Sequence, residues 1–307
     1  MKMNEKYELK EHGKVYHFFN NLCKNPYVLI APALIFCLAL TIYPMIYGGF
    51  LSFHKVDFIK NRMKFIGWQN YQYLFRSEDF IKTIRNTLIY MVVTVFVGLS
   101  IKVLLGVFLN KRTFEHNLVQ TVMFTPHIIS TVSIAVIFMW LMNPDAGILN
   151  YGLELLGMPR SNWHLSKDTA LGSVLFVEIW RTCGYGVLMV IAGMRSIPEY
   201  LFEAAKLDKA GPFKTFFHIT IPMLSPTLLF LVVTTTNQSF TTFDTIKLMT
   251  NGGPDNSTNL IAYYVYQQGM LFMQYGRAMA AAMILLLFTS LLSAINFFIL
   301  DKRVHYQ

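Results

Sequence analysis

Apolar residues gather into six long runs divided by polar connections, at roughly 28–52, 86–109, 118–142, 170–195, 223–245 and 277–300. Each run is about 20 residues or more, the length an α-helix needs to cross some 30 Å of hydrocarbon. Lipid does not tolerate unpaired backbone amides, so each run predicts a transmembrane helix. The expected fold class is an all-α polytopic membrane protein with six transmembrane helices. No small-residue cleavage site follows the first run, which is too long for a cleaved signal and reads as a retained span.

Composition agrees with that pattern. Only 14% of the 307 residues are charged and 54% are hydrophobic, whereas soluble domains carry about 25% charge. The net charge of +9 has no basic patch interleaved with aromatics outside the spans. It therefore predicts contact with anionic lipid and no nucleic-acid partner. An even number of spans puts both termini on one side. Lys111, Arg112, Lys302 and Arg303, in the short segments 110–117 and 301–307, favour the cytoplasm for that side. Segments 53–85, 143–169 and 246–276 then lie outside, although the first carries seven Lys or Arg. Residues 1–27 read as a solvated tail, with Lys2, Lys6, Lys10 and Lys14 at a four-residue step and Glu5, Glu8 and Glu11 between them.

Chemistry-bearing motifs are sparse. Cys23, Cys37 and Cys183 have no framework spacing, and the eight histidines have no metal spacing. No HExxH, GxSxG, paired CxxC or GxxxxGK[ST] occurs, so no catalytic set, metal site or ATP-binding loop is expected in the chain itself.

Two spans nevertheless carry polar faces. Glu178, Arg181, Thr182 and Tyr185 fall at i, i+3, i+4 and i+7 of the fourth run, on one helix face. Either charge would cost about 2.5–3.5 kcal/mol at a bilayer centre, so the face should meet a bundle interior or a wet cavity. Thr235, Ser239 and Thr242 repeat the pattern in the fifth run. An internal Glu178–Arg181 ion pair, and Thr and Ser acting as helix–helix glue, are the structural alternatives. Lys102, some 10 Å from the end of the second run, is expected to snorkel toward the cytoplasmic face.

Between the fourth and fifth runs lies the charged stretch Ser196–Pro222. Pro198 suits the first turn of a short helix, Glu199–Leu207, with a second over Phe213–His218 after a Gly211-Pro212 turn. Leu201, Ala204 and Ala205 would form one small apolar ridge, with Glu203 beside it.

Glu203-Ala204-Ala205, Gly211 and Ile219-Thr220-Ile221-Pro222, set between two spans, resemble the EAA loop of binding-protein-dependent ABC importer permeases. Phe65–Phe75, Asn86-Thr87-Leu88, Asn143–Asn150 and Thr250–Pro254 extend the resemblance to the carbohydrate class of that family. The passage Ala210–Phe213 and the Asn251–Asp255 turn look especially like the larger membrane subunit of the maltose importer and its glycerol-phosphate and oligosaccharide relatives. The resemblance implies a type I ABC importer transmembrane domain in the bacterial cytoplasmic (inner) membrane. It would comprise a tail 1–27, a first helix and extracytoplasmic loop 28–85, a core 86–300 and a tail 301–307, with both termini cytoplasmic.

A cytoplasmic coupling loop is implied at 196–222, with Glu199, Leu201, Glu203, Ala204, Ala205, Asp208 and Gly211 serving ATPase coupling. Solute contacts are implied at Glu178, Arg181, Thr182, Tyr185, Thr235, Ser239 and Thr242. Implied partners are a second permease subunit, two ABC ATPase subunits that bind ATP and Mg, an extracytoplasmic solute-binding protein, membrane lipid and a sugar-like solute. That solute would be an oligosaccharide, disaccharide or glycerol phosphate, moved by alternating access; the chain itself would hold no cofactor and catalyse nothing. Where the family usually carries glycine after the Ala pair, this chain has Lys209, and Gly211-Pro212 is expected to make the turn instead. An ion-gradient-driven secondary transporter is the alternative reading. Glu178 and Arg181 would suit proton coupling, but six spans are few and no inverted half-repeat is visible.

Overall fold

A computed structural model describes residues 26–57 and 61–296. The tail 1–27, except its last two residues, the end of the sixth run and Lys302 and Arg303 lie outside the described residues. Contacts divide the chain into two units, Met1–Leu51 and Ser52–Gln307. The first holds α1, which runs Pro26–Ser52 and stacks Tyr43 on Tyr47 at 6.0 Å along one face.

The second unit opens with an antiparallel hairpin, β1 (His54–Asp57) and β2 (Arg62–Phe65), pairing His54 with Phe65. It is the one sheet among the described residues, a small exception to the all-α expectation. Thereafter the chain is helical: α2 (Gln69–Arg76), α3 (Glu78–Leu109), α4 (Phe114–Ile128) and α5 (Thr131–Leu141), and α6 (Ile148–Leu155). Then come α7 (Ala170–Ser196) and α8 (Glu199–Leu207), α9 (Pro212–Met223) and α10 (Ser225–Thr241). The chain continues through α11 (Asp244–Met249), α12 (Ile261–Tyr266) and α13 (Tyr275–Ile295).

Four described helices are long and apolar enough to cross a membrane, or six if each bent pair counts as one span. The third run is one bent pair, with a 102° break between α4 and α5; the other joins α9, in the 196–222 connection, to α10 of the fifth run with a 68° break. Local chemistry explains both. Ile129 and Ser130 adopt extended backbone just beyond Pro126. At the second break Pro226 supplies no N–H for the ladder. The second run begins eight residues earlier than its apolar part, at Glu78. There the Ser77 hydroxyl accepts from the Phe80 amide at 3.5 Å, and Glu78 and Asp79 face the positive end of the helix.

Helix α7 packs against both the second half of α3 and α4. Gly98 faces Ile179, Gly186 faces Lys102 and Gly106 faces Val190, so α3 and α7 run parallel. The 110–113 connection and α8 therefore share one end of the bundle. The Thr250–Asp255 turn sits at the opposite end: Lys82 Nζ pairs with Asp255 Oδ2 at 2.9 Å, and Asn86 Nδ2 donates to Asn256 O at 2.9 Å. The Lys82 ammonium holds the Asp255 carboxyl below the usual carboxylate range. Tyr90, Phe138, Val174, Ile246 and Tyr263 form the core that ties α3, α5, α7, α11 and α12 together.

Candidate functional site

A polar cleft lies among α3, α7 and α10. Tyr90, Thr94 and Lys102 enter it from α3, Glu178 and Thr182 from α7, and Thr235, Ser239 and Thr242 from α10 and its end. Five of the seven residues expected on the solute face are thus brought together. Arg181 meets the cleft only through Glu178, by a bidentate pair: Nη2 to Oε1 at 2.6 Å and Nε to Oε2 at 3.2 Å. The Thr245 hydroxyl also donates to Glu178 Oε2, at 3.3 Å. Tyr185 is not in the cleft. Its ring stacks on His127 of α4 with centroids 4.9 Å apart and planes 19° apart. Thr242 is present, but not as the i+7 member of a continuous helix, because α10 stops at Thr241 and Thr242 is extended (ψ 117°).

Most hydroxyls of the cleft are satisfied internally. Ser239 Oγ and Thr94 Oγ1 lie 2.8 Å apart, while Thr182 Oγ1 donates to Glu178 O and Ser239 Oγ to Thr235 O. The helix–helix glue anticipated from sequence is therefore real for Ser239. The cleft measures only about 10 Å³, about the room one water needs. A sugar would need some 300 Å³ or more, so the cleft in this conformation does not admit one.

The contribution of α3 escaped the sequence reading. Asn86, Tyr90, Thr94, Gly98, Lys102 and Gly106 recur at a four-residue step and every one is buried. Such a step drifts around an ideal helix, and a wider turn over Thr94–Gly98 takes up part of the drift. Lys102 does not snorkel: only 4% of it is exposed. Its stem lies in the space left by the missing Cβ of Gly186, where an added carbon would come within 2.4 Å of Lys102 Cδ. Among the described residues no group of three or more His, Cys, Asp or Glu could hold a metal ion.

The second candidate region is the helical loop at the other end of α7. Helix α8 closes with paired turns of the chain: Lys209 N–H bonds Lys206 O at 3.0 Å, and Ala210 N–H bonds Ala205 O at 2.8 Å. This closure requires a left-handed residue, and Lys209 supplies it with φ +53°. The expectation that Gly211-Pro212 would turn the chain is corrected. Gly211 has ordinary extended backbone (φ −67°), and Pro212 opens α9. Leu201 and Phe202 pack against the core around Val190 and Leu224, and Ala205 is buried. Ala204 instead shares the exposed face with Glu199, Glu203, Asp208 and Gly211, so the anticipated apolar ridge is split. Around that exposed face stand three large apolar side chains that sequence reasoning passed over: Tyr200, Leu207 (84% exposed) and Phe213 (81%). Their signal was in the sequence, as apolar residues inside a charged connection.

Fold and site together define a multi-pass membrane subunit with a polar interior and a helical loop standing free at one end. Residues 98–306 match the family described as "Binding-protein-dependent transport system inner membrane component", and the chain belongs to that family. It is 30% identical over 285 residues to "sn-glycerol-3-phosphate transport system permease protein UgpA" of Pectobacterium atrosepticum, covering 92% of this chain and 96% of that one. It is 33% identical over 274 residues to "Probable ABC transporter permease protein YurN" of Bacillus subtilis, covering 87% and 93%. The fold is similar to a chain of a bacterial ABC transporter involved in import of the acidic polysaccharide alginate, with a TM-score of 0.80 at 24% identity over 93% of this chain and 99% of that one. A second alginate transporter structure, in complex with a pentasaccharide-bound periplasmic protein, matches at a TM-score of 0.77 and 24% identity, over 91% of this chain and 95% of that one.

Proposed function

We propose that this chain is one of two permease subunits of an ATP-driven importer for a sugar or sugar-like solute, working by alternating access. Family membership and relatives that carry glycerol phosphate or alginate support the solute class. Support for the drive comes from the free loop, above all the exposed Leu207 and Phe213 flanking Glu203 and Ala204. Isolated apolar side chains on a surface need no explanation, but a cluster on a charged loop suits a partner groove. That partner is an ABC ATPase, so the 196–222 end is cytoplasmic, and ATP and Mg are bound there and not by this chain.

Closure of two ATPases would draw α8 and the start of α9. Leu201 and Phe202 pack on the same core as α7 and α10, so the pull reaches the helices that line the cleft. Parting them opens the space that a solute requires. A loaded solute-binding protein would dock at the opposite end, on the β1–β2 hairpin and the Thr250–Asp255 turn, and a second permease would complete the path. The ion-gradient alternative gains no support from the site, because Glu178 is engaged by Arg181 and Thr245.

The test is purification with the candidate ATPases followed by uptake in vesicles. Uptake that needs ATP and is abolished by Glu203→Lys supports the proposal. Uptake that survives ATP depletion and collapses with the proton gradient contradicts it.

A further inference from the structure

Lys102 is the anomaly of the cleft. It is 96% buried, from its 4% exposure, in a membrane bundle. Yet it makes no hydrogen bond and no ion pair within 4 Å among the described residues. Burying a charge without a partner costs several kcal/mol, so proteins rarely leave one without a use. The nearby carboxylate does not neutralise it, for Glu178 gives both oxygens to Arg181. Lys102, Arg181 and Glu178 therefore leave one positive charge over; Asp244 beside Arg181 is exposed and outside the cleft. The Tyr90 hydroxyl, also in the cleft, is buried and makes no hydrogen bond within 3.5 Å among the described residues, although the Thr242 hydroxyl stands close to it. An unpaired ammonium and an idle phenol face one polar space, with Thr182 and Thr235 beside them. That is the donor set for an anionic oxygen.

We propose that Lys102 is a specificity-determining residue: it receives the phosphate or carboxylate of an anionic sugar-like solute in the cleft, with Tyr90 as a second donor. This rests on the reading of the cleft as the solute path and narrows it to acidic cargo. The ammonium is unpaired because its partner arrives with the cargo. Gly186 makes the arrangement possible, since any side chain there would displace the lysine stem.

The importer is reconstituted in vesicles with its ATPases, second permease and binding protein. ATP-dependent uptake is measured for sn-glycerol 3-phosphate, a uronic-acid trisaccharide and neutral maltotriose. An acidic member is expected to be taken up, and the two acids distinguish phosphate from carboxylate. Lys102→Met should lower that uptake at least about tenfold, the scale of a charged hydrogen bond, and Lys102→Arg should recover most of it. Because the Met variant removes an unpaired buried charge, its melting temperature should rise. A merely structural lysine would lower it. Uptake of maltotriose alone, or acid uptake indifferent to Lys102→Met in an assembled complex, overturns the inference and leaves the import proposal standing. Absence of ATP-dependent uptake by any wild-type complex that imports the same solutes on an ion gradient overturns the import proposal itself.

Discussion

The cleft and the α8 loop are both polar interruptions of an apolar chain, but they treat their side chains in opposite ways. In the cleft the chain answers its own polar groups: Glu178 takes two bonds from Arg181 and a third from Thr245, and Ser239 meets Thr94. Lys102 makes no hydrogen bond or ion pair among the described residues, and neither does the Tyr90 hydroxyl within 3.5 Å. The loop leaves Leu207 and Phe213 to solvent and keeps only its inner face, Leu201, Phe202 and Ala205, packed on the bundle. A region that satisfies itself holds the fold, whereas the exposed apolar side chains of the loop are, in the proposed function, the surface offered to a partner. The same contrast separates what is expected to break the structure from what is expected to break only the machine.

The strongest way to break the interior is Glu178→Ala, which strands Arg181 in a site where its side chain is only 21% exposed. Removing one partner of a buried pair costs about 3–5 kcal/mol. Folded yield and melting temperature in detergent should fall sharply, and the double change Glu178→Ala with Arg181→Met should restore much of both. Gly184→Ala comes next. Its new carbon would sit 1.9 Å from Met123 O and 2.7 Å from Phe124 Cα. These are backbone atoms that cannot step aside, so a loss of about 3 kcal/mol is expected from forced separation of α7 and α4, read as thermal stability.

On the loop, Phe213→Ala should leave the fold intact and weaken the hold on the ATPase by about 2 kcal/mol, near 30-fold, measured by titration of the purified subunits. A fall in melting temperature equal to that of Gly184→Ala would erase the contrast. The smallest effect is expected of Lys209→Gly. Glycine adopts φ +53° without strain, so the loop gains about 0.5–1 kcal/mol and transport is retained. Lost coupling on that change would give the lysine head group a role of its own.

What the sequence made legible follows the same division. The loop is contiguous, so its helices and its place between two spans could be read along the chain, but not that Leu201 and Ala205 would turn inward while Ala204 stayed exposed. Its turn was misplaced because Gly211-Pro212 is a strong turn signal, while a lysine at the family's glycine position does not by itself announce positive φ. The cleft is assembled from three helices distant in the chain. Periodicity placed Glu178, Thr182, Thr235 and Ser239 on two faces, but nothing local said that α3 would close the site. Lys102 looked like a snorkelling residue because its depth depends on the parallel packing of α3 against Gly186 of α7. Tyr185 shared a helix face with Glu178, and the neighbour α4 drew it to His127. Pro126 signals the bend in the third run but not its 102° size, and the 68° break after Met223 falls at the very start of the fifth run, between Pro222 and Pro226.

The central claim is that the exposed side of α8 and the start of α9 is the grip of an ATP-driven partner. Its most direct measurement places a photo-crosslinking phenylalanine analogue at Phe213 in the complete complex and illuminates it with and without ATP. The account predicts a crosslink to the ATPase subunit whose yield changes with nucleotide. The same ATPase remaining unlabelled in both states, in a complex that still transports, would contradict it.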